Sequence, residues 1–315
     1  MGRILIIGAG GQLGTVLTNQ LKEWYGEDQV IASDLRNNGS FTGHFELIDA
    51  TDYQRIEEVV QQYQVEEIYH LAAILSANGE KNPLGTWDMN MKTLFNVLEV
   101  SRLNGVKKVF YPSSIAVFGS EVVKQNTPQA SFLNPSTVYG MSKAAGENWA
   151  QYYFQKYGLD VRSLRYPGVI GYQSLPGGGT TDYAVDIFHR AVEGTHYTCF
   201  LEADTTLPMI YMEDAIRATI ALMQAPAESI KTRMSYNLAG MSFSPKEIAA
   251  VIQKTYPDFT ISYAPDFRQQ IASSWPQSID DSPARSDWGW KPMYDLESMA
   301  ADMIKQLKKE YILFE

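Results

Sequence analysis

The sequence predicts an α/β fold, a Rossmann-type doubly wound parallel sheet with a smaller C-terminal lobe, from two observations. In the first half of the chain, short apolar runs alternate with longer segments of helical periodicity, which is typical of a parallel sheet covered by helices on both faces. After residue 165, short elements separated by Gly, Pro, Trp and Asp turns replace this alternation. We therefore expect a Rossmann domain over 1–165, with a returning segment near 207–225, and the smaller lobe over 166–315.

The expected elements follow the chain in order. The strands of the sheet are short and rich in branched side chains, and they fall at 4–7, 30–32, 45–48, 68–71, 109–111 and 161–164. Apolar positions at helical spacing predict intervening helices over 13–24, 53–63, 83–103 and 136–157. In the second lobe we expect helices at 183–193, 213–223 and 296–311, and strands at 197–201 and 209–212. Ligands of open α/β sheets bind at the carboxyl edge of the sheet, which is where we place the smaller lobe.

The composition argues against several functional classes. The chain has 315 residues with 26 Lys+Arg and 36 Asp+Glu, and a net charge of −10 makes a poor nucleic-acid binder. The single cysteine, Cys199, excludes an internal disulfide and a thiolate zinc site, and we expect it to be a small buried hydrophobe. The four histidines form no ligand-spaced cluster, so we expect no metal. Without a recognisable signal peptide or membrane helix, a cytoplasmic protein is expected.

A glycine-rich turn follows the first expected strand. Residues 8–14 read Gly-Ala-Gly-Gly-Gln-Leu-Gly, and glycines there permit a tight turn and let the backbone approach a pyrophosphate at a helix N-terminus. Asp34 ends the second strand, where a carboxylate accepts hydrogen bonds from ribose hydroxyls and repels a 2′-phosphate. The pair predicts NAD rather than NADP, although Arg36 softens that preference and Asp34 could be an ordinary turn residue.

Other cofactor contacts are expected along the same sheet edge. Asp49 either reaches the adenine or caps the helix that follows it, and the small residues after the fourth strand either leave room for the cofactor or are ordinary packing. The contacts expected from the glycine turn and this edge are Gly8, Gly11, Gln12, Leu13, Asp34, Leu35, Asp49, Ala50, Leu71, Ala72 and Ala73.

A phenol and an ammonium lie one turn apart in the helix expected over 136–157. Tyr139 and Lys143 would project from one face of that helix. A nearby cation lowers the pKa of a tyrosine from its usual value near ~10, so Tyr139 could take the proton of a secondary alcohol whose hydride leaves for NAD. Ser113 and Ser114 end the fifth strand, and their hydroxyls could orient the reacting oxygen. The alternatives are that Tyr139 and Lys143 form a solvated surface pair and that the two serines only begin a loop.

These motifs resemble the extended short-chain dehydrogenase/reductase superfamily over essentially the whole chain. The resemblance is carried by Gly-x-x-Gly-x-x-Gly at 8–14, His-Leu-Ala-Ala at 70–73, Asn90, Ser114 and Tyr139-x-x-x-Lys143. It implies that Ser114, Tyr139 and Lys143 form a catalytic set and that Lys143 also holds the nicotinamide ribose. It further implies that the cofactor lies near Asn90, Tyr166, Pro167 and Val169.

A narrower resemblance appears in the second half. Segments 176–184, 207–212, 265–269 and 274–282 are similar to the short-chain L-threonine 3-dehydrogenases, a branch of the superfamily. This resemblance implies NAD-dependent oxidation of the β-hydroxyl of L-threonine to 2-amino-3-ketobutyrate. Between residues 176 and 207 the only cation is Arg190, whereas a nucleotide diphosphate usually draws several. Two rivals remain open: a nucleotide-sugar 4-epimerase or dehydratase with tightly held NAD, and a non-catalytic NAD-sensing module.

The substrate pocket is expected to combine small polar groups with an aromatic wall. Backbone N–H groups of the triple glycine suit a carboxylate, and Asp182 could meet an ammonium, but residues 180–182 could instead cap the next helix. Trp275 could likewise be core packing. The expected substrate contacts are Ser76, Ser114, Tyr139, Gly178, Thr180, Thr181, Asp182 and Trp275.

The helices at 83–103 and 136–157 carry more apolar surface than one sheet face needs. In relatives these two helices pair across a dimer as a four-helix bundle. We therefore expect a homodimer that uses them.

Overall fold

A parallel seven-stranded sheet forms the centre of the fold in the computed structural model, which describes residues 2–37, 39, 41–177 and 179–312. The strands run in chain order as β1 (Arg3–Ile7), β2 (Val30–Asp34), β3 (Phe45–Leu47), β4 (Val65–His70), β5 (Lys108–Ser114), β6 (Asp160–Tyr166), β7 (Gly168–Ile170), β8 (Tyr197–Cys199), β9 (Leu207–Tyr211), β10 (Tyr236–Asn237), β11 (Met241–Phe243) and β12 (Ile261–Tyr263). The central sheet has the order β10-β6-β5-β4-β1-β2-β3, so the chain crosses over between its two halves after β3.

Helices cover both faces of this sheet and make up much of the later sequence. They are α1 (Gln12–Tyr25), α2 (Tyr53–Tyr63), α3 (Ser76–Gly79), α4 (Pro83–Leu103), α5 (Val138–Tyr157), α6 (Tyr183–Val192), α7 (Met212–Gln224), α8 (Pro245–Gln253), α9 (Phe267–Ser274), α10 (Ser282–Trp288) and α11 (Leu296–Ile312). Buried apolar side chains of α1 and α7 share one core cluster, while those of α2 and α4 belong to another. The helices α6, α8 and α11 pack around a third core cluster, which includes the fully buried Cys199.

Side-chain caps fix where several helices begin. Asp52 accepts a hydrogen bond from the backbone N–H of Arg55 at the start of α2. Thr137 accepts from Gly140 N–H and so starts α5 at Val138, one turn before Lys143.

The expected strands of the central sheet and the long helices are confirmed, with ends that shift by a few residues. The helix expected from residue 136 begins two residues later because Thr137 is its cap. The sequence did not reveal β7, β10, β11 or β12, which have only two or three residues each, or the helices α8, α9 and α10. No helix within the described ranges is long and apolar enough to cross a membrane.

Candidate active site

A cleft runs along the carboxyl edge of the central sheet. One part is bounded by the glycine turn and the ends of β2 and β4, and the other by the ends of β5 and β6 and the start of α6. The two parts share Gly8, Gly11, Leu71 and Ala73, so they form one continuous groove. Among the expected cofactor contacts, those that line the groove are Gly8, Gly11, Gln12, Leu13, Asp34, Leu35, Asp49, Ala50, Leu71, Ala72, Ala73, Tyr139, Lys143, Tyr166, Pro167 and Val169.

The glycine turn is built for close backbone contacts. Gly8 has φ +91°, and a Cβ there would lie 2.7 Å from the backbone nitrogen of Ala72. A Cβ at Gly14 would lie 2.2 Å from the carbonyl oxygen of Gly8, because α1 starts directly against β1. Gly11 precedes α1 without a side chain to cap it, which leaves the first N–H groups of the helix facing the groove. This cradle fits the pyrophosphate of a dinucleotide.

Two carboxylates lie at the cofactor end of the groove. Asp34 accepts hydrogen bonds from the N–H groups of Gly10 at 2.9 Å and Leu35 at 2.7 Å, so its position beside the glycine turn is fixed. Asp49 accepts from the N–H of Thr51 at 2.8 Å and from its hydroxyl at 2.7 Å, and these bonds lower the pKa of Asp49. The alternative that Asp49 caps α2 is wrong, because Asp52 is the cap.

Ser114, Tyr139 and Lys143 meet in the other part of the groove. Ser114 ends β5, and its hydroxyl acts on the phenol of Tyr139 in the first turn of α5 to lower the pKa of that phenol, against the larger opposite effect of burial. The buried Lys143 ammonium lies 5.6 Å from the centre of the Tyr139 ring and donates to the carbonyl oxygen of Pro112 at 2.6 Å. That carbonyl is a partner that sequence reasoning missed, since a backbone acceptor has no residue signature.

The pKa of Tyr139 differs from the lowered value expected from the sequence. Burial raises the pKa of Tyr139 to about 12, and the Ser114 hydrogen bond opposes that shift only in part. Burial also lowers the pKa of Lys143 to about 7. The expected lowering of the Tyr139 pKa is therefore wrong for the chain's own residues, because the loss of water around both groups outweighs their attraction.

Asn90 supports the groove without lining it. Its side-chain oxygen accepts from Ile74 N–H at 2.8 Å, and its amide donates to the Ile74 carbonyl and to the hydroxyl of Ser142, each at 3.1 Å. Asn90 therefore ties the segment after Ala73 to α5. The expectation that Asn90 lies near the cofactor stays a prediction.

The expected substrate contacts converge beside Tyr139. Those that line the groove are Ser76, Ser114, Tyr139, Thr180, Thr181, Asp182 and Trp275, while Gly178 lies outside the described residues. Thr180 Oγ1 and Trp275 Nε1 are buried, and neither has a hydrogen-bond partner among the described residues. Asp182 accepts from Gly179 N–H at 2.7 Å and does not cap α6 with its side chain. The N–H of Gly179 is thus already hydrogen-bonded to Asp182, so the expectation that this N–H binds the carboxylate of the substrate is wrong.

Positive charge in the groove is sparse. Among the described lining residues, Lys143 is the only lysine or arginine. Arg190 lies on α6 and is ion-paired with Asp186 and Glu193 at 3.5 and 3.1 Å. Within the described ranges, no group of three or more His, Cys, Asp or Glu side chains is arranged to hold a metal ion.

Comparisons with known proteins agree with this geometry. The model of the NAD dependent epimerase/dehydratase family matches residues 4–239. An uncharacterized epimerase/dehydratase of Staphylococcus aureus is 46% identical, with 98% of each chain covered. A solved GalE-like L-threonine dehydrogenase from Cupriavidus necator, in its holo form, is 54% identical with a TM-score of 0.96, covering 97% of this chain and 99% of its own. A monomeric L-threonine 3-dehydrogenase from a metagenome is 48% identical with a TM-score of 0.95, covering 98% and 99%.

Proposed function

The chain belongs to the NAD dependent epimerase/dehydratase family, and we propose that it oxidises the β-hydroxyl of L-threonine to 2-amino-3-ketobutyrate with NAD. One observation carries the proposal: Ser114, Tyr139 and Lys143 line one pocket beside a dinucleotide cradle, with the Lys143 ammonium 5.6 Å from the centre of the Tyr139 ring. The similarity to structures of L-threonine dehydrogenases supports the choice of substrate.

NAD, when bound, supplies the hydride acceptor and a positive charge. In our proposal the Ser114 hydroxyl orients the β-hydroxyl of the substrate, and Tyr139 takes its proton as the general base. Lys143, held in place by the Pro112 carbonyl, would stabilise the phenolate while its ammonium keeps its proton. Because burial lowers the pKa of Lys143 to about 7, the positive charge of bound NAD is the contribution that remains at higher pH. Because burial raises the pKa of Tyr139 to about 12, activity is expected to rise with pH as the phenol ionises.

The residues proposed to hold NAD divide by the part of the cofactor they suit. The glycine turn suits the pyrophosphate, because Gly11 leaves free N–H groups at the start of α1. Asp34 suits the hydroxyls of the adenosine ribose, and Lys143 those of the nicotinamide ribose.

A small zwitterion suits the groove better than a nucleotide-sugar. Its described lining has one cation, Lys143, which the proposed chemistry already uses. A nucleotide diphosphate would need further Arg or Lys side chains. The partnerless Thr180 hydroxyl and Trp275 indole N–H offer instead two neutral donors to a small polar ligand.

The deciding measurement is NADH absorbance with purified protein, NAD and L-threonine, run beside L-serine, L-allo-threonine and NADP. We expect steady NADH formation with L-threonine and NAD. An epimerase would form no net NADH, and a sensor would bind NAD without turnover on any of these substrates. The role of Tyr139 is tested by Tyr139→Phe, which should reduce kcat by about 10²-fold or more and leave NAD binding unchanged.

We also propose a homodimer that pairs α4 and α5 of each protomer. Three aromatic residues of α5, Trp149, Tyr152 and Tyr157, have 38%, 40% and 43% of their surface exposed. The ring of Tyr152 contacts the rings of both Trp149 and Tyr157. Such an aromatic face favours burial against a second copy. Light scattering at micromolar concentration should give twice the chain mass, and Trp149→Glu should give the monomer. A monomeric mass for the unaltered protein would contradict the proposal.

A further inference from the structure

A buried ion pair lies directly behind the catalytic residues. The side chains of Glu147 and Arg165 are 0% and 3% exposed, and Arg165 binds the carboxylate through Nε at 2.9 Å and Nη2 at 2.8 Å. Glu147 follows Lys143 by one turn of α5, and Arg165 lies on β6 opposite Ser113 of β5. Removing two charges from water costs several kcal/mol per ion, so stability alone does not account for this pair.

Ser113 connects the ion pair to the active site. Its hydroxyl, in a residue only 2% exposed, donates to Glu147 Oε1 at 2.6 Å. The residue before it, Pro112, offers the carbonyl that binds the Lys143 ammonium, and the residue after it is Ser114. The Ser113 hydrogen bond therefore joins the end of β5 to α5 next to the point where both elements present their catalytic groups, beside the bond from Lys143 to the Pro112 carbonyl.

The far side of the ion pair is anchored as well. Arg165 Nη1 donates to Asn237 Oδ1 and to the carbonyl of Gln129, each at 3.0 Å. The amide of Asn237 in turn donates to the carbonyls of Thr127 and Asp280, each at 3.1 Å. Because Arg165 is held by three separate segments, Glu147 and the serine bound to it have little freedom to shift.

We propose that Ser113, Glu147 and Arg165 are positioning residues for the oxidation. They hold β5 and α5 in one register, so that the Ser114 hydroxyl, the Tyr139 phenol and the Lys143 ammonium keep a single arrangement. The proposal rests on the proposed function, because its kinetic effect is read in the turnover of L-threonine. Misplacement of a reacting group by a fraction of an ångström is enough to slow an enzyme.

Ser113→Ala is the cleanest test, because it removes one hydroxyl and leaves the ion pair intact. We expect kcat with L-threonine to fall about tenfold, while KM for L-threonine and the Kd for NAD stay within about twofold. Glu147→Gln should lower kcat further, and the double variant should lose no more than Glu147→Gln alone, since both act through one contact.

A second buried pair on the same strand provides a matched control. Asp160 and the fully buried Arg162 pair at 2.7 Å at the other end of β6. Asp160→Asn should lower the Tm and leave kcat unchanged, whereas Ser113→Ala should change kcat with little effect on the Tm. An unchanged kcat in Ser113→Ala, or an equal loss in Asp160→Asn, would overturn the proposal.

A structural readout separates this proposal from the proposed function. Crystal structures should show the Lys143 Nζ to Pro112 O contact lengthened or lost in Ser113→Ala and retained in Asp160→Asn. If the unaltered protein forms no NADH from L-threonine, the proposed function fails, and this comparison still decides the positioning role. An identical contact in the Ser113→Ala structure overturns it.

Discussion

At the scale of single residues, the glycines of the turn at 8–14 serve two different purposes, packing of the fold and access to the groove, which the motif alone does not distinguish. Gly14 is required by packing, because its Cβ would overlap the carbonyl of Gly8, whereas a Cβ at Gly11 would sit at an ordinary 3.5 Å from that oxygen. Gly11 also has a backbone conformation, φ −75°, that alanine adopts readily. Its lack of a side chain therefore serves the groove and not the fold.

This difference gives a paired prediction. Gly14→Ala should destabilise the protein by about 1–3 kcal/mol and weaken NAD binding, because α1 must move away from β1. Gly11→Ala should leave the Tm nearly unchanged and weaken NAD binding about tenfold, because the methyl group enters the cradle. Calorimetry for stability and titration of NAD for affinity test both. Equal Tm losses in the two variants would contradict the assignment.

Lys143 should make the protein less stable than it would be without that charge. Burial lowers its pKa to about 7 from the usual 10.5, so the unfolded chain binds the proton more tightly than the folded one. The penalty is complete below pH 7 and is relieved as the pH rises from 7 toward 10.5. Lys143→Met should therefore abolish most turnover yet raise the free energy of unfolding at pH 6 by about 1–3 kcal/mol.

Urea unfolding of the unaltered protein and of Lys143→Met between pH 6 and pH 10 measures the difference in their free energies of unfolding. This difference should narrow as the pH rises. Lys246 has an exposed side chain and serves as the control. Lys246→Met should show no such dependence on pH. A gap that widens with pH would have the wrong sign for a buried lysine.

At the scale of elements, the start of α5 is where helix stability and chemistry coincide. Thr137 accepts from Gly140 N–H at 3.1 Å, and Glu80 accepts from Val138 N–H at 2.9 Å, so the turn that carries Tyr139 is held from both sides. Thr137→Ala should cost about 1 kcal/mol of stability and reduce kcat, because Tyr139 lies two residues beyond the cap.

The capping box of α8 provides the comparison. Ser244 accepts from Glu247 N–H, and the Glu247 carboxylate accepts from Ser244 N–H, in a helix that is not part of the groove. Ser244→Ala should lower the Tm by a similar amount and leave kcat unchanged. A loss of activity in Ser244→Ala equal to that in Thr137→Ala would mean that the cap acts through general stability.

An element can be predicted from the sequence when its own residues carry a recognisable pattern. It cannot be predicted in this way when it is defined by pairing with a distant segment. The strand β1 has a continuous apolar run of its own and the helix α4 a helical pattern of its own, and the sequence predicts both within a few residues. The two-residue strand β10 has no such pattern, because it is defined only by its pairing with β6. Local patterns therefore fail where an element exists through a distant contact.

The same limit applies to the site. Motifs marked Ser114, Tyr139 and Lys143 because their side chains carry the chemistry, and the structure brings these three together. The Pro112 carbonyl and the bond between Asp182 and Gly179 N–H arise from the course of the backbone, which no residue type announces. The predicted lowering of the Tyr139 pKa is wrong for a related reason. Burial raises this pKa, and burial is a property of the whole fold.

At the scale of the whole molecule, the two halves of the chain share both the sheet and the groove. The Rossmann half contributes the cradle and Tyr139, while Thr180 and Trp275 of the later sequence close the other side. The strand β10, from the second half, extends the central sheet beside β6. The domain boundary expected near residue 165 stays a prediction, and the sheet and the groove both contain residues from each side of it.

A chain ending at Tyr166 should consequently fail to fold. It would leave Arg162 without the carbonyls of Leu222 and Ala225, and Arg165 without Asn237, in a sheet that has also lost β10. Both arginines would keep their carboxylate partners, Asp160 and Glu147, but each buried hydrogen bond left unmade costs about 1–3 kcal/mol, and together these losses are a large part of a typical stability of about 5–15 kcal/mol. Far-UV circular dichroism should show residues 1–166 unfolded, whereas the full chain should unfold in a single transition by both far- and near-UV signals. A fragment that melts cooperatively and binds NAD would show instead that the Rossmann half is self-sufficient.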